Sequence, residues 1–172
     1  MNYENLHTSA LEKLFGTIKM RIVNQNPNIR IIKLNDSKNI SRTLGIVKFF
    51  DVKGEDLINA HHKILAGGVL GKTLYNSNID FDKEFIGSIL VNLPEWLKED
   101  FKSEHNEGLG FYSKIKVAND SYKENKILYS ELIEIIPMEL KYAFEDKIRP
   151  LENNDENVMS LLIAADIKVS KP

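Results

Sequence analysis

The distribution of strand-like and helix-like patterns along the chain is the feature that most constrains its fold. Alternation of apolar and polar side chains, or a run of β-forming residues, marks each strand. The six predicted strands are residues 18–24, 29–34, 43–52, 57–65, 111–117 and 126–136. Because they cluster near both ends with helical patterns between and after them, they predict an α+β fold: an antiparallel sheet of about six strands with helices mainly on one face.

Helical patterns occupy most of the remaining chain. Ser9 and Glu12 form a capping box at the start of the first helix, and Gly16 ends that helix. Pro94 suits the first turn of a later helix, which carries Trp96. The other predicted helices are residues 69–75, 81–91, 138–148 and 156–169.

Composition excludes several classes of protein. The 172 residues contain no cysteine, which rules out thiol nucleophiles, thiolate zinc sites and disulfides. A net charge of −2 gives no global attraction for nucleic acid, and no apolar run reaches the about 18 residues of a membrane span. We expect one domain over residues 1–172, a monomer or weak dimer, with neither nucleic-acid nor membrane partners. The N-terminus is too polar for a signal peptide, so we expect a cytoplasmic protein.

The most informative residue is Glu131, an acidic side chain on a predicted strand. Side chains alternate along a strand, so Glu131 shares its face with Ile127, Tyr129, Ile133 and Ile135. Burial disfavours the ionised form of a carboxyl group, which makes such a residue a candidate general acid. The alternatives are a carboxylate paired with a lysine, or a different register of the strand.

Lys48 is the candidate partner of Glu131. It lies on the apolar face of another predicted strand, together with Arg42, Leu44 and Ile46. Two opposite charges on apolar faces favour pairing with each other or with a shared anionic ligand.

Histidines do not indicate a metal site. His61 and His62 are neighbours on a predicted strand and therefore point to opposite faces, so they cannot hold one ion together. The remaining histidines, His7 and His105, are distant in sequence. We predict no metal, and one of the two neighbouring rings inside the protein.

A glycine-rich segment at residues 67–73 reads Gly-Gly-Val-Leu-Gly-Lys-Thr. It ends like a nucleotide-binding phosphate loop, but the spacing of its first glycine does not fit that motif, which excludes a nucleoside triphosphate site. The segment leads into a predicted helix whose first backbone N–H groups lack helical partners. Those groups are candidates to receive a carboxylate.

Four segments carry a resemblance to a known family: residues 9–16, 41–55, 70–75 and 130–137. The most specific are Leu-Gly-Lys-Thr-Leu-Tyr at 70–75 and Ser-Glu-Leu at 130–132. In these segments the chain resembles the chorismate lyase family, small enzymes that remove pyruvate from chorismate to leave 4-hydroxybenzoate. The resemblance covers about residues 6–137 and leaves 138–172 as a helical C-terminal extension.

The resemblance implies roles for individual residues. Glu131 falls on the family's active-site glutamate, which contacts a substituent of the aromatic ring and can serve as an acid. Ala10 and Leu70, with Gly71 beside it, fall where backbone amides receive the substrate carboxylate.

The chain departs from the family at its basic residues. The main carboxylate-binding arginine falls on Ile46, and a second basic residue falls on His61. Lys48, on the same face as Ile46, is the candidate replacement, although a lysine lacks the bidentate fork of an arginine. Arg42 and His61 complete the predicted substrate-binding set.

Three functions follow from these observations. The first is a chorismate lyase-like pyruvate lyase acting on a small dicarboxylate, for which neither metal nor organic cofactor is required. The second is a non-catalytic module that binds a small aromatic or organic acid, because the fold also resembles the effector-binding domain of a bacterial regulator family. The third is a lyase relative that acts on a different substrate.

Overall fold

A computed structural model describes residues 7–119, 122–151 and 155–170. Its helices and strands are, in chain order, α1 His7–Phe15, β1 Lys19–Gln25, β2 Ile29–Asn35, β3 Ser41–Phe49, α2 Glu55–Leu65, α3 Leu70–Asn76, β4 Phe81–Asn92, α4 Glu95–Phe101, β5 Glu107–Asn119, β6 Tyr122–Pro137, α5 Glu156–Ala164 and β7 Lys168–Val169. A 3-10 segment, Met138–Lys147, follows β6 and is kinked at Phe144. The predicted α+β class is therefore confirmed.

One antiparallel sheet contains seven strands of the described chain in the order β1-β2-β3-β6-β5-β4-β7, where about six were predicted. β3 and β6 lie side by side although about 80 residues separate them, and Ile46 is directly opposite Ile133. β6 is flanked on its other side by β5, so it is a central strand. Side chains on both of its faces are consequently removed from water.

Helices cover both faces of the sheet, not mainly one as predicted. Neighbouring residues of β3 show this division, because Ile46 packs with α4 and α5 whereas Val47 packs with α2 and α3. We call these the α4/α5 face and the α2/α3 face. α1 and the 3-10 segment also pack on the α2/α3 face, where Leu11 and Leu140 meet Ile136 of β6.

Residues 57–65, predicted as a strand, belong instead to α2. Leu57, Ala60 and Ile64 are its buried residues, and their spacing of three and four is that of one helical face. The apparent alternation through Ile58 was misleading, since the Ile58 side chain is exposed. Glu55 and Asp56 in the first turn also favour a helix, because they interact well with its positive end.

Residues 81–91, predicted as a helix, belong to β4. A register shift between Phe85 and Gly87 places an extra residue, Ile86, in the strand. Such a bulge breaks the alternation of buried and exposed side chains, which is why the segment did not show a strand-like period. The side chain of Leu151, in the C-terminal segment, occupies the space that a side chain at Gly87 would need.

A second bulge changes which residues accompany Glu131. Ile115 pairs with Ser130, and the next residue of β5 pairs with Leu128, so Tyr129 is the extra residue in β6. Tyr129 therefore packs on the α2/α3 face, whereas Ile133 packs on the α4/α5 face. The prediction that Tyr129 shares a face with Glu131 was wrong for this reason.

The C-terminal segment is integral to the fold. Phe144 is buried on the α2/α3 face, and Leu162 of α5 is buried on the α4/α5 face. β7 pairs with the outer edge of β4 through Val169 and Val91. The predicted final helix over 156–169 is thus shorter, since it ends at Ala164 and the chain returns to the sheet.

Candidate functional site

Glu131 lies on the α4/α5 face and is only 2% exposed. The hydroxyl of Tyr112 donates a hydrogen bond of 2.8 Å to its Oε1 atom, and the Lys114 ammonium lies 3.8 Å from the same oxygen. Its Oε2 atom has no hydrogen-bond partner among the described residues. The expectation of a buried acidic side chain is thus confirmed, and burial together with Glu131 raises the pKa of Tyr112.

Lys48 stands directly opposite Glu131 in the β3–β6 register, and Lys114 stands opposite it on β5. Cross-strand neighbours on one face have Cβ atoms about 5 Å apart, so Glu131 has a lysine on either side. The Lys48 ammonium itself lies 5.4 Å from the centre of the Phe50 ring. This row of alternating charges gives the buried carboxylate a structural explanation that requires no ligand.

Leu70 and Gly71, at the start of α3, line a chamber on the opposite face of the sheet. The chamber has a volume of about 50 Å³, and its wall includes His7, Lys83 and Glu134. We call it the α3-side chamber. The residues proposed from the resemblance do not converge, because Glu131 projects from one face of β6 whereas Leu70 and Gly71 lie over the other.

Glu134, His7 and Lys83 form a polar cluster in the wall of the α3-side chamber. The Lys83 ammonium lies 2.6 Å from Glu134 Oε2, and His7 Nδ1 lies 3.6 Å from the same oxygen. His7 Nε2 and the Thr43 hydroxyl form a hydrogen bond of 2.8 Å. His7 is 4% exposed, and its ring stacks on Phe144 with centroids 4.8 Å apart.

Burial lowers the pKa of His7 from 6.5 to about 4, which outweighs the opposing influence of Glu134. His7 is therefore neutral at pH 7, so one of its ring nitrogens carries a hydrogen and the other is a hydrogen-bond acceptor. Burial also acts to raise the pKa of Glu134, but His7 and Lys83 outweigh it and the pKa is lowered. Because His7 is neutral at pH 7, Lys83 and, to a smaller extent, Lys147 are the groups that keep Glu134 ionised there.

A second chamber adjoins the first and shares its polar cluster. Its volume is about 230 Å³, and it is lined by His7, Lys83, Phe85, Phe111, Ser113, Glu134 and Lys147. We call it the Ser113 chamber. The polar cluster thus forms part of the wall of two cavities on the α2/α3 face, which makes it the candidate site.

The other predicted residues lie outside these chambers. Arg42 is held by Asp36, with Nη2 2.6 Å from Oδ2. Ala10 is half-buried in α1 and packs against the neighbouring apolar cluster. His61 and Lys48 line one open basin of about 710 Å³, away from Leu70. Burial lowers the pKa of His61, with His62 adding to the shift, so this ring supplies no positive charge at neutral pH.

Arg30 is a buried cation that the sequence did not indicate. It is 1% exposed, and its Nη1 atom donates a hydrogen bond of 2.8 Å to the carbonyl of Gly68, just before α3. Its Nη2 atom lies 3.2 Å from the sulfur of Met20, and its Nε atom has no partner among the described residues. Arg30 therefore links β2 by a hydrogen bond to the connection between α2 and α3.

Sequence reasoning missed Glu134, His7 and Lys83. Glu134 was assigned to the face of β6 opposite Glu131, which is correct, but that face is buried as well. His7 and Lys83 come from α1 and β4, and nothing in their local sequence links them to β6. Only the order of the strands, which brings β4, β5 and β6 together, could have identified the cluster.

Comparisons with known proteins did not assign this chain to a family. Neither a scan of protein-family models nor a search of curated proteins found a match to this chain. In the described residues no helix is long and apolar enough to cross a membrane. Those residues also contain no group of three His, Asp or Glu side chains arranged to hold a metal ion.

Proposed function

We propose that the protein is a chorismate lyase-like pyruvate lyase whose substrate enters the α3-side chamber, with Glu134 as the acidic residue of the site. The observation that carries the proposal is that Glu134 shares this chamber with Leu70 and Gly71, the residues that the resemblance links to substrate binding. We therefore assign to Glu134, three residues after Glu131 on β6, the role of acidic residue that was expected for Glu131.

The chemistry requires few groups. The bond between the ring carbon and the enolpyruvyl oxygen breaks, the adjacent ring carbon loses a proton, and the ring becomes aromatic. The released enolpyruvate takes up a proton to become pyruvate. Glu134 is ionised at neutral pH and accepts the ring proton, so it serves as a base and not as the acid that the sequence suggested, although its lowered pKa makes it a weak base. Lys83 is paired with Glu134 in the ligand-free protein, and its positive charge becomes available to a substrate carboxylate once Glu134 takes up the proton.

Substrate entry requires movement of α3. Sites for drug-sized ligands occupy about 300–1,000 Å³, and the α3-side chamber has only about 50 Å³. The connection before α3 contains Gly67, whose φ of 119° lies in a region that glycine adopts readily. This connection can serve as the hinge that lets α3 move outward. Such a movement must break the hydrogen bond that Arg30 donates to the carbonyl of Gly68.

The test is pyruvate release from chorismate by the purified protein. We expect release above the spontaneous rate, and a fall of about 10²–10⁴-fold in Glu134→Gln, the range for loss of a general base. Glu131→Gln is the matched control, since it removes a buried carboxylate from the same strand but from the other face. An equal loss in the two variants, or no release by the wild-type protein, would contradict the proposed activity.

A second candidate is the non-catalytic module that binds a small organic acid. It is favoured by the 2.6 Å contact between Lys83 and Glu134, which leaves the lysine engaged in the ligand-free protein, and by the apolar Ile46 at the position of the family's arginine. Calorimetric titration with chorismate distinguishes the two functions. Binding that Lys83→Ala weakens, without release of pyruvate, identifies the module.

A further inference from the structure

The Ser113 chamber contains a hydroxyl group without a partner. Ser113 is 1% exposed, and its Oγ atom forms no hydrogen bond with any described residue. A buried donor left unsatisfied costs about 1–3 kcal/mol. The hydroxyl lines a cavity of about 230 Å³, so a bound molecule can supply the missing acceptor.

The same chamber carries an available positive charge. Lys147 lines it, and no ion pair within 4 Å joins Lys147 to a described residue. Lys83 is neutralised by Glu134, and His7 is uncharged at pH 7. The lining therefore has a net charge of about +1, with two lysines against one carboxylate. An anion of single charge complements it.

Aromatic rings form the apolar part of the wall. The rings of Phe85 and Phe111 have centroids 6.2 Å apart at an angle of 57°, and Phe111 also packs against Phe144 at 5.5 Å. Aromatic surfaces of this kind favour a planar aromatic ligand. The volume of about 230 Å³ is below that of drug-sized sites, so the ligand must be small.

We propose that the Ser113 chamber binds a small aromatic monocarboxylate. Its carboxylate accepts hydrogen bonds from the Lys147 ammonium and the Ser113 hydroxyl, and its ring lies against Phe85 and Phe111. This site is separate from the α3-side chamber and does not depend on lyase activity. Because His7, Lys83 and Glu134 belong to both chambers, a ligand in one alters the electrostatics of the other.

Benzoate is the probe, titrated into the full chain by calorimetry, with benzamide as the uncharged analogue of the same shape. We expect Lys147→Ala to weaken benzoate binding at least 10-fold, whereas Lys141→Ala has no effect. Lys141 belongs to the same 3-10 segment but lines a different cavity. Benzamide should bind at least 10-fold more weakly than benzoate.

Ser113→Ala should weaken benzoate binding about 3–10-fold, the effect of one hydrogen bond. Ser130→Ala is the matched control, because Ser130 on the next strand is equally buried and equally unpartnered among the described residues, but does not line the chamber. Both variants should fold, since each removes an unsatisfied hydroxyl.

The proposal is overturned if benzamide binds as tightly as benzoate, or if Lys147→Ala and Ser113→Ala leave the affinity unchanged. It is also overturned if benzoate does not bind at millimolar concentration. Benzoate binding with these variant effects supports the site even where chorismate yields no pyruvate, so this proposal and the lyase activity fail separately.

Discussion

Glu131 and Glu134 lie three residues apart on β6 and project from opposite faces of the sheet. Glu131 accepts a hydrogen bond from Tyr112 on the α4/α5 face, and Glu134 pairs with Lys83 on the α2/α3 face. The sheet separates the two carboxyl groups, so each has its own set of partners. Substitutions at the two positions should therefore have different effects.

Tyr112→Phe should destabilise the protein by about 1–3 kcal/mol, because it leaves the buried Glu131 carboxylate without its 2.8 Å donor. Urea unfolding at pH 7 measures the change. Tyr142→Phe is the control, since the Tyr142 side chain is 63% exposed and its change should stay within about 0.5 kcal/mol. Equal effects in the two variants would show that the Tyr112–Glu131 contact contributes nothing.

The lowered pKa of His7 predicts a loss of stability in acid. Its pKa is 6.5 in the unfolded chain and about 4 in the folded protein, so between these pH values only the unfolded chain takes up the proton. Stability should therefore fall as pH falls from about 6.5 to 4, with a contribution from His7 on the order of 3 kcal/mol.

Urea unfolding across this pH range tests that contribution. His7→Gln should flatten the dependence between pH 6.5 and 4, whereas His62→Gln, a change at an exposed ring on α2, should leave it as in the wild type. A wild-type stability that is constant over the range would mean that the His7 ring accepts a proton in the folded state.

Arg30→Ala should destabilise the protein by about 3 kcal/mol, because it removes a fully buried side chain and leaves the Gly68 carbonyl without its donor. Arg30→Lys should recover only part of the loss, since a lysine cannot reproduce the guanidinium fork. Arg21→Ala, on the exposed strand β1, is the control and should be nearly neutral. If Arg30→Ala left the free energy of unfolding unchanged, the α2–α3 connection would be held by other contacts.

Gly45→Ala should block the α3-side chamber with little loss of stability. Gly45 lines that chamber, and a methyl group there would lie 3.1 Å from Ile32 Cγ1, a contact that a small shift relieves. We expect pyruvate release to fall at least 10-fold while benzoate binding is retained, because Gly45 does not line the Ser113 chamber. A parallel loss of both would mean that the two chambers act as one.

The sequence suggested Lys48 as the partner of Glu131, and the two residues are cross-strand neighbours in the β3–β6 register. The lysine within 4 Å of the Glu131 carboxylate is instead Lys114 of β5, which the pattern did not single out. The sequence could not show which carboxylate of β6 enters a chamber. Alternation separates the faces of a strand, but in a central strand both faces are buried. The choice between Glu131 and Glu134 depends on where α1 and α3 pack, which is a tertiary property.

The two mispredicted elements have local causes. In α2 the residues happen to alternate between apolar and polar, and this alternation obscured the helical spacing of Leu57, Ala60 and Ile64. In β4 the bulge at Ile86 interrupts the alternation of the strand and so concealed it. A pattern of period two is informative only where no extra residue interrupts it.

The pairing of β3 with β6 leaves one edge of β3 without a partner while the rest of the chain is synthesised. The first three strands are complete about 80 residues before β6 exists, so the hydrogen-bonding edge of β3 stays open over that interval. Long-range pairing of this kind slows folding and exposes an edge that can associate with other nascent chains.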